Sequence, residues 1–236
     1  MKKIKIFVIP YAGGSSLAYY SWRKYFPDNI EICYIEFPGR GCRMEEPFVN
    51  NLEELIEDVS KQIISQLDGE DYFIYGHSMG ALIAYEVYYN LKEKGIRLPK
   101  HIFFSGRKAP QICFTGKKSK NLDDKEFLEV VSLFGGLPNE FYTNQDVRNL
   151  FLPILRSDFK ILEEYKYVEK SEKINCNISV MYGDCDFSTS QFDIQQWKIH
   201  GAKRVNFYKF SGDHFFINEN YKEIINLIVK EYKMLV

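Results

Sequence analysis

The stretch YGHSMGALIAYE, residues 75–86, sets Ser78 between His77 and Met79, with Gly76 and Gly80 two positions away on either side. The apolar run DYFIYGHS (71–78) leads into it, and a helical pattern over 80–94 follows. Strand, G-x-S-x-G, helix is the context in which a serine is held on a sharp, strained turn at a sheet edge. The glycines let strand and helix approach without Cβ collisions. The amino end of the following helix favours developing negative charge. A Gly-rich turn in which Ser78 merely caps a helix is the plainer alternative; the strand before and the helix after favour a nucleophile.

The same rhythm extends along the chain. IKIFVIP (4–10), IEICYIEFPG (30–39), HIFFSG (101–106), ISVMYGD (178–184) and RVNFYKFSG (204–212) are nearly continuous in Ile, Val, Phe and Tyr. Such runs suit parallel strands covered on both faces. Helical spacing predicts helices over 51–66, 190–199 and 218–233. Strand alternating with helix predicts a doubly wound, mostly parallel α/β sheet. The alternation fails between about 110 and 176, where helical patterns at 123–134 and 144–168 have no strand between them. The whole of 1–236 is therefore expected to be one domain, with 110–176 inserted as a helical lid over the carboxyl edge of the sheet.

Composition narrows the function. The 236 residues are 45% hydrophobic and 27% charged, with a formal charge of −1, which leaves no nucleic-acid footprint. The five cysteines, at 33, 42, 113, 176 and 185, are odd in number and lack C-x-x-C spacing, so they read as free thiols rather than a disulfide or zinc framework. The apolar start is interrupted by Lys5 and stopped by Pro10, which does not fit a signal peptide. No run reaches the ~18 residues of a membrane span. The expectation is a cytoplasmic monomer without cofactor or metal.

A serine needs a base. His77 adjoins Ser78 on a turn that points neighbouring side chains apart, and reads as structural. His101 starts a strand and His200 ends a helix, and both read as surface residues. His214, in FSGDHFFINE, follows the last strand and sits on the same sheet edge as Ser78. A carboxylate must orient that base. MYGDCDFS offers Asp184 and Asp186, and Asp186 is preferred because it lies deeper in the loop. Ser78, Asp186, His214 is the α/β-hydrolase order. The oxyanion site of this fold uses the amide after the nucleophile, here Met79, and one from the loop after the first strand, PYAGGSS (10–16), where Ala12 is the candidate.

IPYAGGSSLAYYSW, EFPGRGCRMEEP, YGHSMGALIAYE, LRSDFKILEEYKY, MYGDCDFS and SGDHFF together resemble the type II thioesterases, from about residue 7 to residue 230. These are stand-alone editing hydrolases that accompany nonribosomal peptide and polyketide synthetases. The resemblance implies hydrolysis of acyl or aminoacyl thioesters on the phosphopantetheine arms of carrier proteins. It places the triad on Ser78, Asp186 and His214 and the oxyanion donors on Ala12 and Met79. Tyr11 stands where many members have His, and Phe187 follows Asp186 where Pro is common; the second departure keeps Asp184 open. A carboxylesterase or lipase on the same fold, or a non-catalytic hydrolase-like binding protein, remain the rival readings.

Other features carry weaker expectations. Aromatic residues crowd 123–168 and would pack the lid or line an acyl channel. Arg40 or Arg43 would form an internal Arg–Glu pair in preference to a phosphate contact. Residues 92–120 hold nine Lys or Arg and one Glu, while 44–71 hold nine Asp or Glu and one Lys. Such runs read first as solvated faces. The sharper reading has Lys117, Lys118 and Lys120 attract an acidic carrier protein.

Overall fold

The apolar runs become six parallel strands: β1 (Ile4–Ile9), β2 (Ile30–Tyr34), β3 (Asp71–His77), β4 (His101–Ser105), β5 (Asn177–Gly183) and β6 (Val205–Phe210). The computed structural model describes residues 3–49, 51–112, 118–137 and 139–235. The strand order is β2-β1-β3-β4-β5-β6. Burial explains the continuous apolar runs. Every residue of β1 and of β4 is buried, whereas the edge strand β6 is mostly half-buried. Residues 35–39 leave the sheet, so the second run is shorter as a strand than its apolar composition predicts.

Side chains alternate between the two faces of each strand. On one face, Phe7, Ile9, Ile74 and Phe104 pack under α1 (Leu52–Ser65) and α2 (Met79–Glu93). On the other, Ile6, Val8, Phe73 and Phe103 meet Trp22, from the 3₁₀ segment Ser16–Tyr25, and Ile224 and Ile228 of the C-terminal helix. The stretch between β4 and β5 holds α3 (Asp124–Leu133), α4 (Glu140–Thr143) and α5 (Gln145–Glu164). Phe127, Val131, Phe141, Leu155 and Phe159 give it a small core of its own. Reciprocal Asp123–Glu126 hydrogen bonds start α3, and Asn144 caps α5. The predicted helix at 190–199 is a short α6 (Gln191–Gln195) that tightens into a 3₁₀ turn ending at His200. The chain closes with α7 (Tyr221–Lys233).

The chain first steps outward from β1 to β2, then crosses back so that β3 lies on the other side of β1. Such a reversal opens a crevice at the strands' carboxyl ends. The loops that follow β1 and β3 meet there.

Two sequence expectations need correction. His101 and His200 are buried, not surface residues. His101 Nε2 lies 2.8 Å from Ser179 Oγ, and His200 Nε2 lies 2.6 Å from Gln111 Oε1. A strand start and a helix end look peripheral in sequence, but β4 is central in the sheet and the 3₁₀ turn folds under α2. The charge runs also resolve partly into pairs. Lys94 meets Glu57 at 3.0 Å, and Arg97 and Lys100 meet Asp71 at 3.7 and 3.6 Å. Lys118 and Lys120 are exposed, while Lys117 and Cys113 lie outside the described residues. Cys33, Cys42, Cys176 and Cys185 are free thiols. Among the described residues, no helix is long and apolar enough to cross a membrane.

Burial, reinforced by the charge of Lys173, pushes the His200 imidazole down to about 4 from its ordinary 6.5. The unfolded chain therefore binds more protons than the folded one between those two values, so stability falls as the solution is acidified through that window. Urea unfolding midpoints are expected to drop between pH 7 and pH 5, and His200→Gln to show a shallower drop than the wild type. An equal slope in both proteins would remove His200 as a contributor.

Candidate active site

Ser78 joins β3 to α2 with φ 54° and ψ −113°, and is the only non-glycine with positive φ among the described residues. Such a conformation costs on the order of 1–3 kcal/mol and persists only when the surroundings over-determine it. They do so here. Ser78 N–H donates to Ser105 O at 2.7 Å, and the Ser78 carbonyl accepts from Ala81 N at 3.1 Å. A Cβ on Gly76 would collide with the Gly80 carbonyl, and one on Gly80 with the carbonyls of Ile9 and Pro10. The helix can start directly against β1 and β3 only because both positions lack a side chain.

His77 points inward, away from the Ser78 hydroxyl. It is fully buried, and its Nδ1 lies 2.9 Å from Ser105 Oγ. The Tyr11, Phe215 and Phe216 rings surround it. Burial, with the neighbouring His214 adding to it, holds its imidazole well below the ordinary range, so it stays neutral.

The loop after β6 brings His214 over the serine. His214 Nε2 is 2.9 Å from Ser78 Oγ, and Nδ1 is 2.9 Å from Asp186 Oδ2. The other Asp186 oxygen accepts from Ser188 N at 2.9 Å and from Ser188 Oγ at 2.6 Å. Burial works to raise the Asp186 carboxyl, but the hydrogen bond and charge of His214, with the Ser188 donors, outweigh it and hold the group below the usual carboxylate range. Asp184 does not touch His214. It is exposed and accepts from Gly212 N at 3.0 Å, bracing the loop that carries the histidine.

Ala12 sits in the loop after β1 and lines the same cavity as Ser78, while Met79 is the first residue of α2. Neither amide donates to a protein acceptor among the described residues. Two buried acids anchor this loop. Asp158, on α5, accepts from Gly13 N at 2.7 Å and pairs bidentately with Arg40 at 2.6 and 2.7 Å. Arg40 also donates to Gly14 O at 3.2 Å. Glu36 accepts from Ser16 Oγ at 2.7 Å and from Ser16 N. Arg40 is thus paired with an aspartate rather than the expected glutamate, whereas Arg43 takes both Glu46 and Asp58.

Ser78 and His214 open into a cavity of about 750 Å³. Of the aromatic residues noted in the insertion, Phe134, Phe141, Phe151 and Phe159 line it. Phe127 packs inside the insertion, Tyr165 and Tyr167 pack on the main core, and Tyr142 is exposed. Sequence reasoning missed Ser188 and the Arg40–Asp158 pair. Ser188 follows Asp186 by two residues, a spacing at which a hydroxyl can turn back to a carboxylate. Arg40 and Asp158 stand 118 positions apart, and no local signal joins them. No group of His, Cys, Asp or Glu suited to a metal ion occurs among the described residues.

Comparison with known proteins gives one family. The thioesterase domain model matches residues 4–232. Gramicidin S biosynthesis protein GrsT of Aneurinibacillus migulanus is 33% identical over 233 residues, covering 99% of this chain and 90% of that protein. The crystal structure of ClbQ from the colibactin NRPS/PKS pathway superposes with a TM-score of 0.94 at 27% identity, with 100% of both chains covered. The RedJ thioesterase from the prodiginine biosynthetic pathway in Streptomyces coelicolor gives 0.87 at 27% identity, covering 98% of this chain and 86% of that one.

The Arg40–Asp158 pair separates two costs. Asp158→Asn leaves a buried guanidinium without its counter-charge and should lower unfolding stability by about 3–5 kcal/mol. Arg40→Met combined with Asp158→Leu removes both charges and should recover most of that loss, since a buried pair contributes little net stability. Urea denaturation of the three proteins tests this. A double variant no more stable than Asp158→Asn would contradict it.

Proposed function

The chain belongs to the thioesterase domain family, and from that premise we propose that it is a stand-alone type II editing thioesterase. It hydrolyses acyl or aminoacyl groups from the phosphopantetheine arms of carrier proteins, in support of nonribosomal peptide or polyketide synthesis. The observation that carries this reading is the unbroken hydrogen-bonded chain from Asp186 through His214 to Ser78, opening into a cavity of about 750 Å³. That volume falls within the range of small-molecule sites, roughly 300–1,000 Å³. Working beside carrier proteins, the enzyme acts in the cytoplasm as a monomer, with the insertion as its lid.

In this reading His214 Nε2 takes the Ser78 proton as the oxygen attacks the thioester carbonyl. Asp186 keeps the Nδ1 proton in place and stabilises the imidazolium that forms. The developing oxyanion meets the Ala12 and Met79 amides; one such donor is worth about 10²–10³ in rate. His214 then protonates the leaving pantetheine sulfur. Water, deprotonated by the same imidazole, attacks the acyl-serine and releases the acid and the free serine. The Arg40–Asp158 pair serves this step indirectly, by fixing Gly13 and Gly14 beside the Ala12 amide.

Ser78→Ala should lower hydrolysis of an acylated carrier protein by about 10⁴-fold or more and abolish labelling by a fluorophosphonate, with an unchanged far-ultraviolet spectrum. Mass spectrometry of the acyl and holo carrier forms measures the rate. Near-normal deacylation by the folded variant would overturn the assignment.

A further inference from the structure

The wall of the cavity contributed by the loop after β4 differs from the aromatic wall contributed by the insertion. Arg107 lines it, and its Nε is buried without a hydrogen-bond partner. Its guanidinium pairs with no carboxylate among the described residues, although Arg40, Arg43 and Arg156 each have one. The undescribed residues hold no Asp or Glu that could supply it. Burial lowers this side chain only to about 10, so it is a cation at neutral pH. Thr189 lines the same cavity, and its buried hydroxyl is likewise without a partner. The two loops adjoin, since Ala109 N donates to Asp193 O at 3.4 Å and Trp197 Nε1 donates to Arg107 O at 2.8 Å. Thr189 N also donates to Asp186 O at 3.3 Å, which ties this corner to the loop that orients His214.

We propose that Arg107 and Thr189 form a subsite for an anionic oxygen group on the acyl chain, so that carboxyacyl thioesters are preferred substrates. This rests on the editing-thioesterase reading above and adds a substrate class to it. Arg107 is half-buried, with its Nε and the Thr189 hydroxyl buried without partners; such orphaned polar atoms are costly to the free protein, and a ligand that pairs with the guanidinium and the hydroxyl relieves that cost. A carboxylate fits the guanidinium fork through two parallel hydrogen bonds and leaves an oxygen lone pair for the threonine hydroxyl. The acidic side chain lining the cavity, Glu163, is already engaged by Ser119 N and Oγ at 2.8 and 3.0 Å. Phe159 and Leu162 also line the cavity, and apolar lining lowers the local dielectric and strengthens such a contact. A wholly aliphatic acyl group would leave Arg107 and Thr189 as they are in the free protein.

Two readouts test this. The first is calorimetric binding of non-hydrolysable amide analogues to the full chain. Succinyl, glutaryl and adipoyl cysteamine amides are compared with butyryl, pentanoyl and hexanoyl amides, each with and without the 4′-phosphopantetheine extension. The second is kcat/KM on the matching thioesters. At one chain length or more, the carboxyacyl ligand should bind more tightly than its methyl-ended partner. Arg107→Gln should lower that preference by about 10- to 100-fold, the scale of hydrogen bonds to a charged group. Thr189→Val, which keeps the shape, should lower it by a smaller factor, and Arg107→Lys should restore part of it. Equal binding of the paired ligands by the wild type, or an unchanged preference in folded Arg107→Gln, overturns the subsite. So does an Arg107→Gln effect confined to the phosphorylated analogues, which would assign the cation to the pantetheine phosphate. Selective binding without hydrolysis of any thioester would keep the subsite and instead overturn the catalytic reading.

Discussion

The structure depends on how closely α2 approaches the ends of β1 and β3. Gly80 lies against the carbonyls of Ile9 and Pro10, and Gly76 against the carbonyl of Gly80. Only backbone fits in these spaces. The turn between strand and helix is therefore forced into one residue, and Ser78 takes up the strain at φ 54°. The same approach brings the loop after β1 next to the serine. One steric constraint thus sets the hydroxyl, the neighbouring amides and the crevice between them.

Tertiary contacts then lock the moving parts to that point. His214 hangs on a loop braced by Asp184, and Asp186 is held by Ser188 on the side away from the histidine. The loop after β1 is gripped at Gly13 and Gly14 by the Asp158–Arg40 pair and at Ser16 by Glu36. Asp158 belongs to α5, so the insertion that lines the cavity also helps shape the loop after β1. Displacing α5 would remove a hydrogen-bond acceptor from the Gly13 amide and expose a buried guanidinium. The placement of α5 and the ordering of the loop are therefore coupled by electrostatics as well as by the apolar packing of Leu155 and Phe159.

The cavity has two characters. Phe134, Phe141 and Phe159 make one wall from the insertion, where aromatic area gives grip without directional demand. Arg107 and Thr189 line the cavity from the sheet's own loops, where the Arg107 Nε and the Thr189 hydroxyl are buried without partners.

Features that depend on near neighbours were legible in the sequence. The G-x-S-x-G turn, the continuous apolar strands and the helical spacing over 51–66 all reflect local sterics and burial on one face or two, and each could be read within about ten residues. The positions of Ser78, Asp186 and His214 at strand ends followed from that same punctuation. What only the tertiary structure decided were contacts between distant segments. The burial of His101 and His200, the choice of Asp158 as partner for Arg40, and the lack of an ion-paired carboxylate for Arg107 among the described residues depend on which loops the sheet order brings together. A sequence pattern records what each residue prefers for its own backbone and face. It does not record which charge stands opposite once the chain has crossed from β2 back to β3, because that pairing energy is realised only after the sheet has closed.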